Sequence, residues 1–128
     1  MRDLDVLIVD EDADARDLLA MFVESRGASV RRASSSDEAL LAIEARRPNV
    51  LLSDLMMPDR DGFALVRAVR AREREQVSER LPAIAVTAHA TARDREEASA
   101  AGYDALVAKP VDADDLARAI VRMTQVET

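Results

Sequence analysis

The sequence predicts an α/β fold built on a parallel sheet. Two observations carry this. Short apolar runs of strand character alternate with segments of helical period, and the alternation repeats five times along 128 residues. The apolar runs are continuous rather than alternating, as in strands buried on both faces. Composition agrees, with 48% hydrophobic and 34% charged residues, and a chain of this length buries a real core. Aromatic residues are only 2%, so that core must be Leu, Ile, Val, Met and Ala.

The elements follow in order. Val6-Leu7-Ile8-Val9 is the first strand and ends at Asp10-Glu11. Leu18, Leu19, Phe22 and Val23 then recur at helical spacing, and Gly27 is a C-terminal stop. The second strand, Ala28 to Ala33, has only Val30 as a strong strand former, which suits a sheet edge. Ser35 and Glu38 form a capping-box pattern ahead of Leu40 and Ile43, and Pro48 closes that helical region. Val50-Leu51-Leu52-Ser53 is the third strand, followed by Asp54, Leu55-Met56-Met57-Pro58 and the turn residues Asp61-Gly62.

Phe63, Val66 and Val69 make the third helical stripe. Arg70 to Arg80 is almost wholly polar and reads as a solvated extension of that helix plus an exposed loop. Ala83-Ile84-Ala85-Val86 is the fourth strand, ending at Thr87. Thr91 or a neighbour caps a fourth, Ala-rich helix that reaches Ala101, with Gly102 after it. Ala105-Leu106-Val107-Ala108 is the fifth strand, ending at Lys109-Pro110. Asp112 caps the last helix, whose stripe is Leu116, Ala119, Ile120 and Met123. A single domain over residues 1–124 with a short tail, 125–128, accounts for the chain.

Charge and composition narrow the functions. A net charge of −7 and a pI near 4.7 argue against non-specific nucleic-acid binding. The chain has no cysteine, hence no disulfide and no Cys-ligated zinc. No apolar run approaches the roughly 20 residues that span a bilayer. Met1-Arg2-Asp3-Leu4-Asp5 is too acidic and short for a signal peptide. A cytoplasmic location is expected.

Four strand ends carry reactive groups: Asp10-Glu11, Asp54, Thr87 and Lys109. Open α/β sheets bind ligands at the C-terminal ends of their strands, so these groups share one rim. A carboxylate such as Asp54 can act as a nucleophile toward phosphorus. Alone it would more often cap a turn; its company favours the chemical role. Clustered carboxylates repel and raise one another's pKa unless a cation joins them, and Mg²⁺ takes hard oxygen ligands. Thr87 can donate to a phosphoryl oxygen, and Lys109 supplies a compact positive charge.

From about Val6 to Met123 this constellation resembles the receiver domain of two-component response regulators. The resemblance implies a flavodoxin-like, doubly wound, five-stranded sheet of order 2-1-3-4-5. It implies phosphorylation of Asp54, with Thr87 and Lys109 as partners and Met56, Ala88 and His89 bordering the phosphoryl group. It implies Mg²⁺ held by Asp10, Glu11, Asp54 and the main-chain carbonyl of Met56. Glu11 stands where receivers usually carry Asp, and Asp12 is either a substitute ligand or the cap of the first helix. A cis peptide is expected between Lys109 and Pro110, and Gly62 is expected in a structural role.

Leu106 departs from the pattern: many receivers carry Tyr or Phe there, and Tyr103 is at a different offset. The run Gly102 to Pro110 is similar to receivers joined to hybrid histidine kinases. The implied partners are a histidine kinase or phosphotransfer domain, a downstream protein or output domain, and a second copy of the chain, with neither nucleic acid nor membrane. The domain would be a switch rather than an enzyme, catalysing only its own phosphoryl transfer and dephosphorylation. Two other readings are a Mg²⁺-dependent phosphatase of the haloacid-dehalogenase type, for which Asp10-Glu11-Asp12 is a superficial match, and a degenerate receiver that only docks.

Overall fold

The computed structural model describes residues 1–58 and 62–124. Asp61 and the expected tail, 125–128, lie outside the described residues. The elements are β1 (Asp5–Val9), α1 (Ala13–Glu24), β2 (Ser29–Ala33), α2 (Ser36–Ala45), β3 (Val50–Asp54), α3 (Gly62–Gln76), β4 (Ala83–Thr87), α4 (Ala92–Ala101), β5 (Ala105–Ala108) and α5 (Ala113–Thr124). The strands are all parallel, in the order β2-β1-β3-β4-β5. This is the doubly wound, flavodoxin-like arrangement expected.

The pleat sorts the core into two layers, because successive strand residues face opposite sides. Leu7, Val9, Leu51, Ala83 and Ala85 pack with Leu40 of α2, Leu65, Val66 and Val69 of α3 and Ala98 of α4. Val6, Ile8, Val50, Leu52, Ile84 and Val86 pack with Leu19, Ala20 and Val23 of α1 and Leu116 and Ile120 of α5. The chain therefore changes faces between β1 and β3, which opens the crevice where such sheets bind ligands. Register keeps the strand ends level there: Val9 pairs with Ser53, Asp54 with Val86 and Thr87 with Ala108.

Most start and stop signals work as the residue types dictate. Asp12, Ser35 and Thr91 cap α1, α2 and α4, and Thr91 with Asp94 completes a capping box. The carboxylate of Glu38 accepts the hydroxyl of Ser34 at 2.9 Å. Asp112 accepts the N–H groups of Asp114 and Asp115 at the start of α5.

Three expectations need correction. Leu18 is exposed, and Ala20 takes its place against the sheet, because α1 turns its small residue inward. In α5 Ala117 is buried while Ala119 is only half-buried. Arg70 is not part of a solvated stretch: it is 6% exposed and fully engaged. Its guanidinium donates to Gly102 O at 3.0 Å, Leu81 O at 2.8 Å, Glu73 Oε1 at 2.9 Å and Asp104 Oδ2 at 3.1 Å. A planar cation with several fixed donors can be buried when every direction meets an acceptor.

Candidate functional site

The rim is built from the ends of β1, β3, β4 and β5. Asp10 follows β1 and is 2% exposed. Its Oδ1 accepts the N–H of Asp12 at 3.0 Å, and its Oδ2 accepts Lys109 Nζ at 2.9 Å. Asp54 ends β3. Its Oδ1 accepts the N–H of Met56 at 3.2 Å, and its Oδ2 lies 3.8 Å from Lys109 Nζ. One ammonium thus stands between two carboxylates.

The electrostatics single out Asp54. Its pKa is raised above the ordinary carboxylate value, first by burial and also by the charge of Asp10. The Met56 N–H and the Lys109 charge oppose the rise without cancelling it. The anion is therefore under-stabilised where it sits, which marks candidate functional groups.

Thr87 ends β4 and is 1% exposed; its Oγ1 accepts the N–H of His89 at 3.1 Å, and its carbonyl accepts the N–H of Lys109 at 2.8 Å. The Lys109–Pro110 peptide is cis. Met56 is 58% exposed beside Asp54, so its side chain is free to shield or to meet a partner. Glu11, Ala88 and His89 lie exposed on the flanking loops. Asp12 is occupied as the cap of α1, accepting the N–H of Asp14 at 3.0 Å.

Gly62 is fixed by space rather than by φ. A Cβ there would lie 2.7 Å from Leu55 Cα, closer than real side chains come. The Gly62 N–H donates to Leu55 O at 2.6 Å, so the first turn of α3 is pressed onto the backbone that follows Asp54. Two contributors escaped the sequence reading. Arg16 Nη1 donates to the carbonyls of Asp10 at 2.6 Å and Glu11 at 3.0 Å, clipping the acidic loop onto α1. Tyr103 Oη donates to Gly62 O at 2.7 Å. Neither has a local sequence signal: Arg16 acts across a turn whose shape the sequence does not spell out, and Tyr103 acts across a core layer on a partner 41 residues away.

The chain matches the family model of the response regulator receiver domain over residues 6–121. It belongs to that family. Among curated proteins, a receiver-sized relative is an uncharacterised 14.6 kDa protein of Leptolyngbya boryana, 43% identical over 117 residues, covering 91% of this chain and 87% of the relative. Another is the sensor protein GacS of Pseudomonas syringae pv. syringae, 31% identical over 119 residues; the match covers 93% of this chain but 13% of that protein. Among solved structures, the chemotaxis protein CheY4 of Vibrio cholerae superposes with a TM-score of 0.84 at 27% identity, over 94% of this chain and 98% of that one. The chain is a receiver domain of two-component signalling, and its relatives include receivers carried within sensor kinases.

A receiver implies Mg²⁺, and the donors here can be weighed against it. Among the described residues no three His, Cys, Asp or Glu side chains converge as a metal-binding group. The hard-oxygen groups at the rim are the carboxylates of Asp10 and Asp54, with the exposed Glu11 and the Met56 carbonyl on the adjoining loops. Mg²⁺ is commonly held by one or two carboxylates with waters and substrate phosphate making up the rest, so a sparse set of hard oxygens fits it.

Proposed function

We propose that this receiver takes a phosphoryl group from a histidine kinase or phosphotransfer domain onto Asp54. The observation that carries the reading is the Lys109 ammonium between two carboxylates, one buried and paired with it, the other held as a poorly stabilised anion. Asp10 is the anchor, and Asp54 the nucleophile.

In the step, an Asp54 Oδ forms a bond to phosphorus as the bond from phosphorus to the donor's histidine nitrogen breaks. The imidazole leaves with that electron pair. Little covalent chemistry falls to the protein, so its work is positioning and charge stabilisation. The backbone N–H of Met56 holds one Asp54 oxygen in place. Lys109 moves its charge toward the arriving phosphoryl oxygens, and the Thr87 hydroxyl is placed to donate to one of them. Mg²⁺, held by Asp10, Asp54 and the Met56 carbonyl with Glu11 direct or through water, would supply positive charge for the crowded oxygens. Met56 and His89 flank the product and set how water reaches it. The phosphorylated rim then biases the arrangement of α4, β5 and α5, the face offered to a downstream protein, an output domain or a second copy.

Intact-mass analysis after incubation with a small acyl phosphate tests this. The expected result is one Mg²⁺-dependent phosphoryl adduct on the parent and none on Asp54→Ala. Lys109→Ala should slow adduct formation by about a hundredfold or more, the usual cost of losing a charge aimed at the transition state. An adduct that survives Asp54→Ala would remove Asp54 from the role.

A further inference from the structure

Tyr103 is the only tyrosine in the chain, and there is no tryptophan. It lies in the turn between α4 and β5 and is 4% exposed. Its ring belongs to the core layer shared with α3 and α4. Its hydroxyl crosses that layer to Gly62 O, at 2.7 Å, a partner 41 residues away in sequence.

Both ends of this link are held firmly. On the Tyr103 side, its N–H donates to Ala98 O at 3.0 Å. The preceding Gly102 carbonyl accepts Arg70 Nε at 3.0 Å and Arg80 Nη2 at 3.1 Å. The following Asp104 carboxylate accepts Arg80 Nε at 2.9 Å and the Ala83 N–H at 2.9 Å. The phenol thus stands on a clamped base. On the other side, Gly62 has no slack against Leu55, and its N–H is bonded back to Leu55 O at 2.6 Å. A movement of Gly62 is therefore a movement of the peptide that follows Asp54.

We propose that Tyr103 is a positioning residue for Asp54, acting through Gly62 and tying the α4–β5 turn to the backbone of the phosphoacceptor. This rests on the reading of Asp54 as the phosphoacceptor. A buried phenol needs a hydrogen-bond partner wherever it sits. What gives this one a consequence is the partner: the carbonyl of Gly62, whose helical turn is pressed against the backbone that follows the reactive strand end. Packed interfaces shift between discrete arrangements rather than deforming smoothly, so a stiff link passes a displacement on instead of absorbing it.

The link should report in both directions. With one tyrosine and no tryptophan, the intrinsic emission and near-ultraviolet absorbance of the unmodified chain belong to Tyr103 alone apart from two phenylalanines. The parent is incubated with an acyl phosphate and Mg²⁺ while the tyrosine spectrum and the intact mass are followed together. The expected result is a change in the Tyr103 spectrum that grows in step with the adduct and is absent in Asp54→Ala under the same conditions. Tyr103→Phe, which keeps the ring and deletes the hydroxyl, should still form the adduct but about tenfold more slowly, the scale of a small misplacement of a reacting group.

A fully phosphorylated parent with an unchanged tyrosine spectrum overturns the proposal. So does Tyr103→Phe reacting at the parent rate. A folded parent that takes no phosphoryl group overturns the phosphoacceptor reading itself, and the coupling falls with it.

Discussion

The two edges of the sheet bury charge in opposite ways. At the N-terminal edge, Arg70 meets Glu73 and Asp104, and Arg80 joins Asp104. Backbone groups fill the remaining directions: Gly102 O and Leu81 O accept, while Leu81 N–H and Ala83 N–H donate to the two carboxylates. At the C-terminal edge, one lysine serves Asp10 and Asp54, and Asp54 holds the weaker share at 3.8 Å. The first cluster is balanced and saturated. The second is one positive charge short, at the crevice between β1 and β3. Saturated burial stabilises a turn; unsaturated burial leaves a group poised to accept a cation or a phosphoryl group.

The strongest way to break the contrast is to unbalance the saturated edge. Arg70→Ala would leave Glu73 and Asp104 facing each other with only Arg80 and Arg47 near the surface. Removing one partner of a buried pair costs about 3–5 kcal/mol. Urea unfolding should show a loss of this size, while the fraction still folded keeps its Mg²⁺-dependent adduct on Asp54. A small loss would mean that water replaces the guanidinium there.

At the other edge, removing charge should do the reverse. A carboxylate whose folded-state pKa lies above its ordinary value of 3.8 is a cost to the fold when ionised. That cost is absent below about pH 4, where folded and unfolded chains both hold the proton, and it grows as pH rises through the folded-state pKa. Asp54→Asn should therefore melt higher than the parent at neutral pH, and the gap should close as pH falls through the acid range. Melting curves from pH 3 to pH 8 check this. Equal melting temperatures at pH 7 would mean that Lys109 and Met56 fully offset the burial. The same variant should form no phosphoryl adduct, so that stability and function separate at one residue.

How legible each edge was in the sequence follows from the same contrast. The rim could be read because strands announce themselves by apolar runs, and the residue after each run falls at the edge by construction. Asp10, Asp54, Thr87 and Lys109 all come from that rule. The opposite edge could not be read. Arg70 lies in a stretch whose alternating Arg and Glu look like solvent-exposed helix, and only the tertiary approach of Gly102, Leu81 and Asp104 makes it core. Leu18 failed for a related reason: helical period gives the stripe but not which side of Leu19 it extends to, and α1 turns the small Ala20 inward and leaves Leu18 exposed. Tyr103 was visible as a residue, but its partner, Gly62, is set by how α3 meets α4.

The smallest expected effect tests a strained turn beside the saturated edge. Val77 follows α3 with a φ of +51° and is 91% exposed. The Ser78 N–H reaches back to Glu73 O at 3.1 Å, which makes this a helix C-terminus of the Schellman kind with valine at the left-handed position. A left-handed backbone costs an L residue about 1–2 kcal/mol, and β-branching adds to the crowding. Glycine adopts that conformation without the clash, though it gives back part of the gain through a more disordered unfolded chain. An exposed side chain has little packing to lose. Val77→Gly should therefore stabilise the domain by about 1 kcal/mol in urea unfolding, with the denaturant slope unchanged. It should leave the rate of adduct formation on Asp54 untouched, because the exposed Val77 side chain lies outside the hydrogen bonds that hold Gly102, Asp104 and Gly62. A loss of stability on this substitution would show that the valine side chain is held by something, and that the turn is an occupied surface rather than a strained end.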